Sequence, residues 1–247
     1  MLTLTYLGHA CFVLEAEGYR LLLDPYTPGY VPGLDRPAVS ANRVLCSHDH
    51  ADHCWEGAPV LLNEVPCPFA VSTMEVWQDG RMGALRGRNT IHILEYRGFR
   101  LAHLGDLGHD LTEEQVRELG PLDVVMLPVG GTYTLDCGQA SALADRLDVR
   151  TVIPMHYRRG EMGFPVLQPL QEFLDLRPDW RELPGSTLEV TENMPRTTLV
   201  LNENRPVNKK APWGRFFYGW TASRRSRKAA TSSREEAPSR PGQALGS

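Results

Sequence analysis

Three histidines and two aspartates fall within six residues, His48-Asp49-His50-Ala51-Asp52-His53, immediately behind the apolar run RVLCS. A strand that ends in a loop presents the side chains that follow at the edge of a sheet, where they can converge. So many polar groups left unpaired beside a buried strand would carry a desolvation penalty, which argues against an incidental polar loop. His48 and His50, two apart in a tight loop, are placed to face one ion, while Asp52 and His53 can turn toward a second. Imidazole nitrogen and carboxylate oxygen suit zinc, manganese or iron.

The rest of the chain supplies a sheet for that loop. The runs LTLTYLG, CFVLEAEG and YRLLLDP read as three strands, the last two joined as a hairpin at Glu17-Gly18, and together predict a small antiparallel sheet. Residues 25–42 are rich in Pro and Gly and read as a surface loop. NTIHILEY and FRLAHLG read as strands around a turn at Arg97-Gly98, and DVVMLPVG and TVIPMHY as further strands. Between them the period changes from 2 to 3.6, which predicts a helix opened by Thr112 and closed by Gly120, and another over 138–147 with Asp136 as its N-cap. Asp106 and His156 each lie just past an apolar run, so both can reach the same sheet edge as the hexapeptide.

Composition narrows the function classes. The 247 residues are 42% hydrophobic, ample for a packed core. No apolar stretch approaches the roughly 18 to 20 residues needed to cross a bilayer. The start of the chain also lacks a basic segment followed by an apolar block, so a cytoplasmic protein without membrane partners is expected. The five cysteines form no CxxC pair, which argues against a disulfide framework and makes Cys54 a small packed residue. Residues 205–247 hold ten Lys or Arg against two Asp or Glu; removing this +8 from the net charge of −4 leaves −12 on residues 1–204. An acidic body disfavours nucleic acid except through the basic tail, and a small-molecule substrate is the expected partner.

The hexapeptide has the form HxHxDH, and with it the chain resembles the metallo-β-lactamase superfamily, an α/β fold built as a four-layer αββα sandwich. The opening LTYLGHACFVLE with RLLLDP, and the later blocks HLGDLGH, LPVGGTYTLD and IPMHY, look like the small bacterial, lactonase- or phosphodiesterase-like branch over about residues 1–200. The resemblance implies a hydrolase domain over 1–204 and a basic, disordered tail over 205–247. It implies two divalent metal ions, zinc first with manganese or iron as alternatives, on His48, His50, Asp52, His53, Asp106 and His156, with Asp106 bridging. Asp52 would also orient the attacking hydroxide and take its proton. The implied reaction is hydrolysis of an ester, lactone or phosphodiester.

One ligand departs from the pattern. The third histidine of the first ion falls at Gln78, beside Asp79, and a neutral amide oxygen binds a transition metal far less strongly than imidazole does. This opens an alternative, a metal-binding protein of the same fold with impaired or no hydrolytic activity. Asp79 and His92 are the residues within reach to compensate, although His92 sits in mid-strand. His9 and Asp24, at the ends of the opening strands, and His103 and His109, flanking Asp106, are candidates to touch the metal or to hydrogen-bond a ligand. Residues 130–134 form a Gly-rich turn whose backbone can approach a ligand closely.

Overall fold

The computed structural model describes residues 1–202 except 36, 38 and 62–64. Its first three strands follow from the alternation read above: β1 (Leu2–Gly8), β2 (Cys11–Ala16) and β3 (Tyr19–Leu23) form an antiparallel meander with Leu14 opposite Leu4 and Leu21. The expected hairpin turn is present, with Glu17 and Gly18 at φ 53° and 76°. The sheet is not purely antiparallel. β4 (Arg43–Leu45) joins β3 in parallel, and β11 (Thr187–Val190), from the other end of the described chain, closes the opposite edge on β1.

The second sheet has seven strands in the order β10-β12-β9-β8-β7-β6-β5. Its strands are β5 (Ala70–Trp77), β6 (Arg88–Tyr96), β7 (Phe99–His103), β8 (Leu122–Pro128), β9 (Val149–Met155), β10 (Arg181–Glu182) and β12 (Thr197–Val200). β7, β8 and β9 run parallel. The connections between them carry α1 (Glu113–Leu119) and α2 (Cys137–Arg146), as parallel neighbours require. Both helices open with the expected caps. Thr112 and Asp136 each accept the N–H of a residue three further on, Gln115 and Gln139, whose side chains reach back to the capping residue. α3 (Leu170–Leu174) follows β9.

The architecture is the αββα sandwich, with the two mixed sheets as its inner layers. One apolar cluster takes in Leu4, Phe12, Leu14 and Leu21 from the first sheet and Ile91, Leu101, Val125 and Ile153 from the second. The rings of Phe12 and His103 meet edge to face at 5.8 Å across this core. Among the described residues no helix is long and apolar enough to cross a membrane. The tail over 205–247 lies outside the described residues.

The topology brings one set of strand ends together. Asp24 follows β3, the hexapeptide follows β4, Asp106 follows β7, the Gly-rich turn follows β8 and His156 follows β9. These are carboxyl ends of parallel strands, where open α/β sheets form their crevices.

Candidate metal centre

At that edge the side chains converge on Asp106. Its Oδ1 lies 3.0 Å from His53 Nε2 and 3.3 Å from His156 Nε2, and its Oδ2 lies 3.7 Å from His48 Nε2. All four residues are buried at the side chain, and none of these approaches has hydrogen-bond alignment: among the described residues His48 Nε2, His53 Nε2, His156 Nε2 and Asp106 Oδ1 have no hydrogen-bond partner. A buried polar atom left without a partner costs about 1–3 kcal/mol, so four at one point describe a place built to receive a cation. The donors divide into two groups that share His53. One is His48, His53 and Asp106; the other is His9, Asp52, His53 and His156.

The electrostatics agree with that reading. Burial works against charge on Asp106, yet His156, His53 and His48 hold its carboxyl well below the usual range. Asp52 is likewise held low against burial, by the His9 hydrogen bond and by His53. Burial pushes His48 down to about 4 and His156 to about 3, so both imidazoles are neutral with lone pairs free to ligate. Burial opposes charge on His53 too, but Asp106 and Asp24 on either side raise it well above its ordinary value. The pocket therefore asks for positive charge between His53 and Asp106, which a divalent cation supplies in place of a proton. Nitrogen and carboxylate donors together suit zinc, manganese or iron.

Asp24 organises this centre from beneath. Its Oδ1 accepts the Ser47 N–H at 2.7 Å, and its Oδ2 accepts the Ser47 hydroxyl at 2.5 Å and His53 Nδ1–H at 2.7 Å. That bond fixes the His53 tautomer and leaves Nε2 facing Asp106. Burial opposes ionisation of Asp24, but His103, His53 and Ser47 together keep it below the ordinary carboxylate range. His9, Asp24 and His156 all adopt left-handed backbone, at φ 56°, 44° and 55°, which costs a non-glycine residue of order 1 kcal/mol. Neighbours hold the strain in place: His156 N–H donates to the His9 carbonyl at 2.9 Å, and Asp24 N–H to that of Leu45 at 2.9 Å.

The remaining sequence candidates divide sharply. His9 stands inside the second group, its Nε2 3.3 Å from Asp52 Oδ2 and its ring 4.1 Å from that of His156. His50 is exposed and belongs to neither group, and its ring stands edge-on to that of His48 at 4.6 Å. Gln78 is buried, and its amide NH₂ donates to the Arg88 carbonyl at 2.8 Å. Asp79 accepts four backbone amides, from Arg81, Gly83, Leu85 and Arg86, and so is spent on shaping its own loop.

His109 accepts from Trp77 N–H and meets the Asp110 carbonyl, and His103 bridges the Ala10 carbonyl and Gly105 N–H; both brace the backbone. His92 faces the core, with Nε2 3.1 Å from the Cys46 carbonyl. The expectation of unpaired cysteines is corrected at one point. Cys46 and Cys54 are joined in a disulfide, because both His53 and Cys54 turn their N–H back onto the His50 carbonyl and bring the two Cα atoms to 5.4 Å.

Residues 3–156, more than half of the chain, match the Beta-lactamase superfamily domain. A UPF0173 metal-dependent hydrolase of Korarchaeum cryptofilum is 30% identical over 204 residues, covering 70% of this chain and 89% of the relative. Another, from Carboxydothermus hydrogenoformans, is 28% identical over 189 residues, with 62% and 84% covered. Among solved structures, a Thermotoga maritima protein named as a candidate zinc-dependent hydrolase of the metallo-β-lactamase superfamily is 33% identical. It aligns with a TM-score of 0.65 over 81% of this chain and 98% of that one.

Proposed function

The chain belongs to the metallo-β-lactamase superfamily, among the UPF0173 metal-dependent hydrolases, and on that premise we propose that it cleaves an ester, lactone or phosphodiester bond of a small molecule with the help of two divalent cations, zinc by preference. The observation that carries this reading is the convergence of three unpartnered, buried imidazole nitrogens on the Asp106 carboxylate. His48 and Asp106, with His50 standing beside them, would hold one ion; Asp52, His53 and His156 would hold the other, with Asp106 shared. Such ions supply Lewis acidity, which brings a water's pKa toward neutrality and polarises the substrate oxygen.

The chain's own residues do the rest. Asp24 locks His53, and His9 holds the Asp52 carboxylate in place. Asp52 is 13% exposed at the side chain against 4% for Asp106 and none for Asp24, so it is the carboxylate that water reaches and the one to accept a proton. Turnover by Asp52→Ala is expected to fall by roughly 10²–10⁴ at full metal loading; an unchanged rate removes Asp52 from that role.

A second reading, a metal-binding protein with impaired or no turnover, draws support from Gln78, a neutral amide where the family pattern has an imidazole, and from the exposed His50. Both leave the first position short of donors. Elemental analysis combined with a panel of generic phosphodiester, lactone and ester substrates separates the two. Two ions per chain with turnover supports hydrolysis, one ion without turnover supports the second reading, and no retained metal overturns both. Under the second reading, Gln78→His raises the metal count.

A further inference from the structure

Two loops that leave the metal-bearing edge are joined to each other through a single cation. The first spans 78–87 between β5 and β6, closed by Gln78 N–H to the Gly87 carbonyl at 3.1 Å and shaped by the four amides that Asp79 accepts. Its stem is pressed onto the segment that carries Asp106, since a Cβ on Gly108 would lie 1.9 Å from the Gln78 carbonyl oxygen. The second loop, 130–134, is pressed as closely onto His156: a Cβ on Gly130 would lie 2.0 Å from the His156 carbonyl oxygen. Arg86 of the first loop lays its guanidinium over the ring of Tyr133 in the second, 4.9 Å from the centroid.

Three arginines lie on this loop or just past it, Arg81, Arg86 and Arg88. Eight arginines of the described chain are paired with carboxylates. Arg81, Arg86 and Arg88 form no ion pair among the described residues, like Arg43, Arg117, Arg158 and Arg181, but they alone cluster within eight positions. The contact with Tyr133 places the Arg86 guanidinium over the ring without using its N–H groups, and among the described residues no protein acceptor takes them. A pre-oriented guanidinium with free donors matches the two non-bridging oxygens of a phosphate.

We infer that Arg86, oriented by Tyr133, selects for negative charge on the reacting group, so that the substrate of this centre is a phosphodiester rather than a neutral ester or lactone. The inference rests on the hydrolase reading above and names its substrate class. The test compares bis(4-nitrophenyl) phosphate with 4-nitrophenyl butyrate, which share a leaving group, on the metal-loaded full chain and on Arg86→Ala and Arg86→Lys. Arg196→Ala serves as the charge control, because Arg196 pairs with Asp148 at the opposite end of β9 from His156.

The ratio of kcat/KM for phosphodiester over ester falls about 10- to 100-fold in Arg86→Ala, mainly through KM, the loss expected for one charged hydrogen-bonding contact. Arg86→Lys recovers part of it, and Arg196→Ala keeps the wild-type ratio. Calorimetric binding of diphenyl phosphate weakens by a similar factor in Arg86→Ala. A ratio and an affinity both within about twofold of wild type overturn the inference. Should the wild type cleave neither substrate, the hydrolase reading falls, and diphenyl phosphate affinity alone decides: weakened in Arg86→Ala it upholds anion selection, unchanged it refutes it.

Discussion

Replacing Asp24 by asparagine tests whether the centre is held from beneath as its hydrogen bonds indicate. The aspartate accepts three bonds with two oxygens, from Ser47 N–H, the Ser47 hydroxyl and His53 Nδ1–H, at 2.5–2.7 Å and in full burial. Asparagine has one oxygen. Set where Oδ2 stands, it keeps His53 and the hydroxyl but turns its own NH₂ against Ser47 N–H; set the other way, it turns NH₂ toward His53. One bond to a charged acceptor is therefore lost, at about 1.5–3 kcal/mol, and the two others drop from charged to neutral strength, about 1 kcal/mol each. The total is about 4 kcal/mol.

For a body of this size that corresponds to a fall in Tm of roughly 8–16 °C. Scanning calorimetry on chelator-treated protein measures it free of the stabilisation that bound metal adds. With His53 no longer locked, metal affinity falls by about 10- to 100-fold, read from zinc retained after dialysis against a buffered chelator. An Asp24→Asn protein that melts within about 3 °C of wild type and keeps its metal would refute the view that this carboxylate positions the centre.

Asp106→Ala removes the oxygens that face three imidazoles, and elemental analysis should find fewer than one ion per chain; two retained ions would contradict the shared role. Gly130→Ala drives a Cβ to 2.0 Å from the His156 carbonyl oxygen, so the backbone must shift at a cost of about 1–3 kcal/mol or more, seen as a lower melting temperature together with weaker metal retention. An unshifted melt would show that the two loops do not pack as described. Chelator-treated protein should lose stability as pH falls from about 6.5 toward 4, because the unfolded chain takes up protons there that folded His48 and His156 refuse. For His48 alone the loss approaches about 3 kcal/mol. His53 has the opposite sign: its raised pKa adds stability below about 6.5 that is lost as pH rises through the folded value. Urea titrations at several pH values check both signs, and a flat profile between pH 4 and 6.5 would contradict the neutral state of the two imidazoles.

What the sequence determined by itself was local and periodic. Alternation placed β1, β2, β3, β6 and β7, turn chemistry placed the bends at Glu17-Gly18 and Arg97-Gly98, and cap residues placed both ends of α1 and the start of α2. The hexapeptide and the apolar runs ahead of Asp106 and His156 marked which strand ends would carry chemistry. β5 escaped because it is an edge strand whose exposed positions, Ser72, Thr73 and Glu75, break the apolar pattern; Met74 and Val76 are its only fully buried residues.

Tertiary structure alone decided how those pieces share work. It set Asp24 under His53 across 29 residues and His9 against Asp52 across 43, turned His50 outward, and committed Gln78 and Asp79 to their own loop. It also joined Cys46 to Cys54 and laid Arg86 on Tyr133. The physical reason is one of range. Patterning and propensity act over a few residues, whereas the direction of a lone pair depends on the register of two sheets packed face to face, which no stretch of chain contains by itself.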